Sequence, residues 1–135
     1  MTETGFVPKA RYMMRALELA AQAAAMGEVP VGAVVVQKST GRIIGEGYNR
    51  READRSPLAH AEIMAIDAAS RTLGGWRLLD SALYVTLEPC PMCAGAILHA
   101  RLEQVVYGTA DPKGGAVDSV EQLFTLPYNW TPEVH

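Results

Sequence analysis

One stretch restricts this chain more than any other. Leu83-Tyr84-Val85-Thr86-Leu87 reads as a buried strand, Glu88-Pro89-Cys90-Pro91 breaks it, and Met92-Cys93-Ala94-Gly95-Ala96-Ile97 restarts as a helix. The only two cysteines of the chain stand at that restart, with two residues between them. Proline suits the first helical position because its missing N–H is not needed there, so Cys90 falls at the helix start and Cys93 one turn further on. Two thiolates so placed can chelate one ion, but a catalytic zinc takes three ligands from protein and keeps one position for water.

The third ligand has to come from elsewhere in the chain, which has three histidines. His60 stands out because it lies in Ala59-His60-Ala61-Glu62, with a carboxylate two positions on, at the start of another helical pattern. His99 lies six residues past Cys93 on the same helix, too far round to share an ion, and His135 is the last residue, where chains are loosely held. The expected site is therefore His60, Cys90, Cys93 and a water, one zinc per chain, with Glu62 beside the water but not bound to the metal. A redox C-x-x-C, or two packed thiols and a satisfied buried histidine, would explain the pieces singly. The joint spacing favours a zinc hydrolase. A purely structural zinc site would supply four protein ligands, and three are at hand.

With 135 residues and 49% hydrophobic content, residues 1–135 are expected to form a single domain with a two- or three-layer core. Thiols placed for chelation, no N-terminal apolar stretch with a cleavage pattern and no run long enough to span a bilayer predict a cytoplasmic protein without a membrane partner. The net charge is -3, so any polynucleotide binding must use a local patch.

Taken in order, residues 1–7 read as a loose start. Met13, Ala16, Leu17, Ala20 and Ala24 then recur on one face of a helix, with Arg11, Arg15, Glu18 and Gln22 opposite, until Gly27 ends it. Val31–Val36 is continuously apolar, as a mid-sheet strand covered on both faces should be. Ser39, Thr40 and Gly41 turn it into an antiparallel partner, Ile43–Tyr48. A second helix from about Leu58 to Leu73 is nearly apolar all round, which predicts burial between layers. Strands over Leu83–Leu87 and Gln104–Gly108 flank the helix Pro91–Arg101, so two parallel crossovers are expected. A short helical pattern reaches Phe124, and Glu133-Val134-His135 begins one more strand.

Ligands of open α/β sheets bind beyond the carboxyl ends of parallel strands. Asn49, Cys90 and Asp111 each follow a strand, so topology brings them toward one crevice. His60 and Glu62 open a helix there, and two helix N-termini favour thiolate over thiol at Cys90 and Cys93.

The combination H-x-E and P-C-x-x-C resembles the zinc base deaminases. Glu28-Val29-Pro30-Val31-Gly32-Ala33, the segment around His60, the Leu83–Ile97 run, Val105-Val106-Tyr107-Gly108 and Asp111-Pro112-Lys113 together resemble the bacterial tRNA-specific adenosine deaminase family. The resemblance covers most of residues 8–129. It implies a three-layer α/β/α cytidine-deaminase-like fold, with a mixed central sheet of four to five strands and the family's C-terminal helix missing. It also implies a homodimeric zinc enzyme that converts adenosine to inosine at the wobble position of a tRNA anticodon stem-loop. By that resemblance His60, Cys90 and Cys93 hold zinc, Glu62 moves protons, and Asn49 hydrogen-bonds the flipped-out base. Ala61, Val29 and Pro30 line the pocket, and Asp111 accepts from a ribose 2′-hydroxyl. Ordinary turn roles for Asn49 and Asp111 are the competing readings. Arg50, Arg51, Arg55 and Lys113 are candidates for phosphate contacts or plain solvated charges.

The chain departs from the family at Asp118, where glycine is usual, and at Trp130-Thr131. The alternatives are a deaminase of a free nucleobase or nucleoside, of guanine or cytosine type, a redox protein, and a non-catalytic zinc module. Intact Glu62 opposes the last.

Overall fold

Val34 and Val36 point to one side of the strand Gly32–Gln37 (β1) and Ala33 and Val35 to the other, and all four are buried. The computed structural model describes residues 5–135 and sets β1 inside a five-stranded sheet. The other strands are Arg42–Tyr48 (β2), Ser81–Leu87 (β3), Gln104–Thr109 (β4) and Glu133–Val134 (β5), and the order is β2-β1-β3-β4-β5. β1 runs antiparallel to both neighbours, while β3, β4 and β5 are mutually parallel. β2 and β3 therefore run the same way with β1 between them. Both crossovers expected from the sequence are present, the first skipping a strand and the second joining adjacent ones.

Helix Ala10–Ala25 (α1) covers one face of the sheet, and Ala61–Leu73 (α2) with Pro91–Ala100 (α3) covers the other. The larger core lies under α2 and α3, where Ala61, Ala65, Ala69, Ala94 and Ile97 meet Val35, Leu83, Val85 and Val105. The smaller core lies under α1, around Tyr12, Leu19, Val34, Val36 and Tyr84. This is the three-layer arrangement that the resemblance implied. Among the described residues, no helix is long and apolar enough to cross a membrane.

Three local expectations are corrected. The buried face of α1 carries Tyr12, Ala16, Leu19, Ala20 and Ala23, while Leu17 is 55% exposed and Ala24 is exposed. In an alanine-rich helix several faces are apolar enough, and the fit of Tyr12 and Leu19 between the strands selects one. α2 begins at Ala61 and not near Leu58, which sits exposed in a turn, and it is not enclosed between layers: its alanine edge faces the sheet and Ile63 and Ile66 on the other side are half-buried. His135 is not loose. Its N–H donates to the Val105 carbonyl at 2.7 Å, and its ring lies 2.7 Å from Gln104 Oε1 and 4.9 Å from the Phe6 ring. Of the loose start expected over residues 1–7, residues 1–4 lie outside the described residues and Phe6 packs on the smaller core.

Helix and sheet approach each other through glycine. A Cβ at Gly45 would run into the Ala65 carbonyl oxygen and lie 2.6 Å from Ala69 N; one at Gly47 would run into the Ala61 carbonyl and lie 2.7 Å from Ala65 N. Gly32 meets α1 in the same way, 2.6 Å from Ala20 N. Since the obstacles are backbone atoms, no rotamer change relieves the clash, and α2 would have to lift off β2. Gly45→Ala is therefore expected to cost about 1–3 kcal/mol or more, because overpacked sites force backbone shifts. Gly75→Ala, where a Cβ meets nothing within 4 Å, should stay within about 0.5 kcal/mol of the parent. Urea unfolding midpoints of the two variants check the pair.

Candidate metal centre and pocket

The first turn of α2 and the first turn of α3 converge beyond the ends of β2 and β3. His60 is the residue before α2, in extended conformation (φ -80°, ψ 154°), and Cys90 is its counterpart before α3 (φ -74°, ψ 174°). Neither side chain caps its own helix, so both are free to turn toward the common space. Pro91 occupies the first position of α3, and Cys93 follows one turn in, wholly buried.

His60 Nδ1 lies 3.6 Å from Cys90 Sγ and 3.5 Å from Cys93 Sγ, and all three donor atoms lie within 4.8 Å of one another. At tetrahedral angles, bonds of about 2.3 Å to sulfur and about 2.05 Å to nitrogen put such donors about 3.6 Å apart. The observed separations are thus the edges of a zinc tetrahedron, and the donor set of one imidazole and two sulfurs suits zinc. Among the described residues this is the one cluster of three or more histidine, cysteine or acidic side chains able to hold a metal. Three protein donors match the count of a catalytic site.

The sulfurs do not share one electrostatic fate. The Cys93 thiol donates toward Cys90 and, against the cost of burial, the N–H groups of Cys93 and Met92 at the start of α3 and the His60 ring join it in holding Cys90 down to about 5. Cys93 is pushed up, first by that hydrogen bond and then by burial and by Glu62. The preference for thiolate expected at both sulfurs is thus met in direction at Cys90, while the hydrogen bond between them raises Cys93.

Glu62, in the first turn of α2, is 4% exposed. Burial pushes it up to about 7, against the pull of its own backbone N–H, and the Cys90 charge adds to the rise. A carboxyl in this position is poised to hold or release a proton near neutrality.

These residues open onto a pocket of about 190 Å³ whose wall includes Val29, Val31, Asn49, Arg51, Leu87 and Asp111. His60, Ala61, Glu62, Glu88 and Cys90 form its floor and sides. Asn49 is 5% exposed; its Oδ1 accepts from Arg51 N–H at 3.0 Å. Asp111 Oδ1 accepts from Lys113 N–H and Gly114 N–H, each at 3.2 Å. Both residues thus make the local turns that were the plain alternative for them, and both also line the pocket. Pro30 is exposed and is not part of the wall; Val31 takes that place. Arg50 pairs with Asp54 at 3.0 Å, whereas Arg55 and Lys113 are exposed near the rim loops.

Besides Val31, two wall residues escaped the sequence reading. Leu87 ends β3, and Glu88 follows it, 2% exposed. Glu88 Oε2 accepts from the N–H groups of Val117 (3.1 Å), Asp118 (2.8 Å) and Ser119 (2.9 Å), and Oε1 from Asp111 N–H (3.1 Å) and the Ser119 hydroxyl. Burial alone would raise this carboxyl; the Ser119 hydroxyl and the backbone donors outweigh it and hold it down to about 2. An acidic residue between an apolar strand and a proline was the available signal. Asp118, the departure from the family's glycine, accepts from Tyr107 OH at 2.6 Å, and Trp130 Nε1 donates to the Leu102 carbonyl at 2.8 Å.

The sequence model of the cytidine and deoxycytidylate deaminase zinc-binding region matches residues 8–109. A tRNA-specific adenosine deaminase of Bacillus subtilis is 50% identical over 112 residues, 83% of this chain and 68% of that protein. One of Haemophilus influenzae is 55% identical over 113 residues, 83% of this chain and 65% of that protein. The chain thus spans about two thirds of the length of these relatives. A solved structure from studies of A-to-I editing by tRNA:A34 deaminases at the wobble position of transfer RNA superposes with a TM-score of 0.90 at 44% identity, over 94% of this chain and 91% of the other. Guanine deaminase of Bacillus subtilis superposes with a TM-score of 0.73 at 38% identity, over 88% of this chain and 74% of the other.

If the three donors hold one zinc, adding zinc to metal-stripped protein should raise its thermal midpoint. Free metal at a hundred times the dissociation constant corresponds to about 2.7 kcal/mol. Cys90→Ala should abolish the rise, which calorimetry with and without zinc reads directly.

Proposed function

That this chain belongs to the cytidine and deoxycytidylate deaminase zinc-binding family is the premise from which we propose that it hydrolyses adenosine to inosine at the wobble position of a tRNA anticodon. The observation that carries this reading is the buried Glu62 carboxyl, set against the three-donor cluster at the foot of a pocket also lined by Asn49 and Asp111. The relatives named tRNA-specific adenosine deaminase support the choice of substrate.

His60, Cys90 and Cys93 would hold zinc, which when bound supplies the Lewis acidity that makes water a nucleophile near neutral pH. Glu62 then does the proton work. Its carboxylate takes a proton from the attacking water, gives it to N1 of the purine as C6 becomes tetrahedral, and passes the second water proton to the departing amine, so that water and adenosine become inosine and ammonia. Placing Glu62 outside the ligand set leaves both its oxygens available for these transfers. Asn49, with Oδ1 held in its turn, keeps its Nδ2 as the group to orient the base, and Ala61, at the start of α2, lines the pocket beside it. Val29 walls the pocket's mouth. Asp111 is the proposed acceptor for a ribose 2′-hydroxyl, with Arg51 and Lys113 near enough to the rim for phosphates. Work on a reduced-thiol metal site and tRNA points to the cytoplasm as its compartment.

A free purine is the second reading, favoured by the likeness to guanine deaminase and by the small pocket. An anticodon hairpin and free guanine, offered in parallel, separate the two: inosine in the hairpin supports the tRNA reading, and ammonia from guanine alone overturns it. In the same assay Glu62→Gln should keep one zinc per chain and lose about 100- to 10,000-fold in kcat, the usual range for general acid–base groups. A hairpin with deoxyribose at the target nucleotide should be the poorer substrate, and Asp111→Asn should narrow that difference.

The homodimer is proposed on a feature of the α2–α3 face. Ile63, Ile66, Trp76, Ala96 and Ala100 line an open apolar groove of about 540 Å³ there, and Trp76 is 57% exposed. A second copy covering this groove would explain why α2 carries isoleucine on its outer side. Sedimentation of the zinc-loaded protein should give a dimer mass, and Ile66→Glu a monomer.

A further inference from the structure

We propose that Glu88, which belongs neither to the metal ligands nor to the proton-moving machinery, is the positioning residue that fixes the Asp111 wall of the pocket. The inference rests on the function proposed above and goes beyond it by adding a residue on which substrate placement depends.

The loop from Asp111 to Val120 has no strand or helix of its own. Such a segment must find partners for its N–H groups elsewhere. Four of them, those of Asp111, Val117, Asp118 and Ser119, converge on the two oxygens of one side chain that leaves the end of β3. Most of the other ties stay within the loop and the turn after it, as Lys113, Gly114 and Gly115 N–H on Asp111 and Val120 N–H on the Gly115 carbonyl; apart from Glu88, Ala116 N–H on the Pro89 carbonyl and Tyr107 OH on Asp118 reach the body of the protein. Gly115 is required for this closure, because a Cβ there would run into the Glu88 carboxylate itself. The wall thus wraps around Glu88 as a nest of donors around an anion.

The two oxygens do different work. Oε2 gathers the far side of the loop, Val117 to Ser119, whereas Oε1 alone reaches Asp111 N–H. Asp111 lines the pocket and Cys90 lies two residues past Glu88, so this single side chain ties the substrate wall to the strand end that delivers a metal ligand. A glutamine can keep an oxygen toward Val117, Asp118 and Ser119, but its NH2 then faces the Asp111 N–H, donor against donor. Glu88→Gln therefore releases Asp111 selectively. Ser119→Ala removes only the hydroxyl donor and is the milder variant.

The experiment compares the zinc-loaded full chain with Glu88→Gln and Ser119→Ala by hydrogen exchange, and then by steady-state kinetics on the anticodon hairpin in a cycle with Asp111→Ala. Within residues 111–120 the amides nearest Asp111 should exchange about tenfold faster in Glu88→Gln, with those of Val117, Asp118 and Ser119 less affected, and all of them less so in Ser119→Ala, with α2, α3 and the zinc content unchanged. Unchanged rates over 111–120, or a rise spread evenly over the chain in both variants, would overturn the proposal. On the hairpin, Glu88→Gln should raise KM about tenfold with kcat altered by less than about twofold, and the effect should vanish in the Asp111→Ala background. The same loss with Asp111 already removed would show that Glu88 does not act through it and would sink the inference. If the parent protein leaves the hairpin untouched, the tRNA reading fails, while the exchange result still decides whether Glu88 holds the wall.

Discussion

The structure depends on three donor atoms from two helix starts, thirty residues apart in the chain, meeting at tetrahedral-edge separations. His60 Nδ1 and the two sulfurs achieve 3.5–3.6 Å. Such separations tolerate little error, and the framework removes the error by letting backbone lie on backbone. Gly45 and Gly47 allow α2 to rest directly on β2, so the height of its first turn above the sheet is set by carbonyl oxygens and not by adaptable side chains. α3 starts straight out of β3 across Glu88-Pro89-Cys90, which ties the sulfurs to the most buried strand of the sheet. Metal geometry is thereby passed down to the sheet, the least deformable part of the molecule.

Around that centre the same functional group meets three environments. Glu62 is buried with few donors, and its carboxyl rises toward neutrality. Glu88 is buried among five donors and is held near 2. Glu28, 7% exposed, accepts from the N–H groups of Glu52 (3.1 Å) and Ala53 (2.8 Å) and so fastens the loop that follows β2. Burial dominates at Glu62, whereas at Glu88 the donors aimed at the carboxylate outweigh it. Glu28 and Glu88 thus each fasten a loop through its backbone N–H groups, whereas Glu62 lines the pocket beside the three donors.

The metal ligands were legible because their chemistry is local. Cys90, Pro91 and Cys93 declare a helix start and a chelating pair within four residues, and His60 with Glu62 does the same within three. The order of elements and the crevice shared by Asn49, Cys90 and Asp111 followed from strand polarity. What the sequence concealed was orientation around symmetric or ambiguous elements. An alanine-rich α1 offers several equivalent faces, so Leu17 was as plausible inside as Leu19. The apolar run of α2 is silent on which side meets the sheet, and alanine took the inside because only a small side chain fits against Gly45 and Gly47.

By itself, then, the sequence determined which three residues gather at the candidate metal centre, the carboxyl beside them and the succession of strands and helices, since each is written in residue types at short spacings. Tertiary structure alone decided that Glu88 braces the Asp111 wall, that Val31 and not Pro30 faces the pocket, and that Cys90 is lowered while Cys93 is raised. Those outcomes hinge on backbone N–H groups and on distances between segments far apart in the chain. Every residue but proline carries the same N–H, so no residue type announces where it will point.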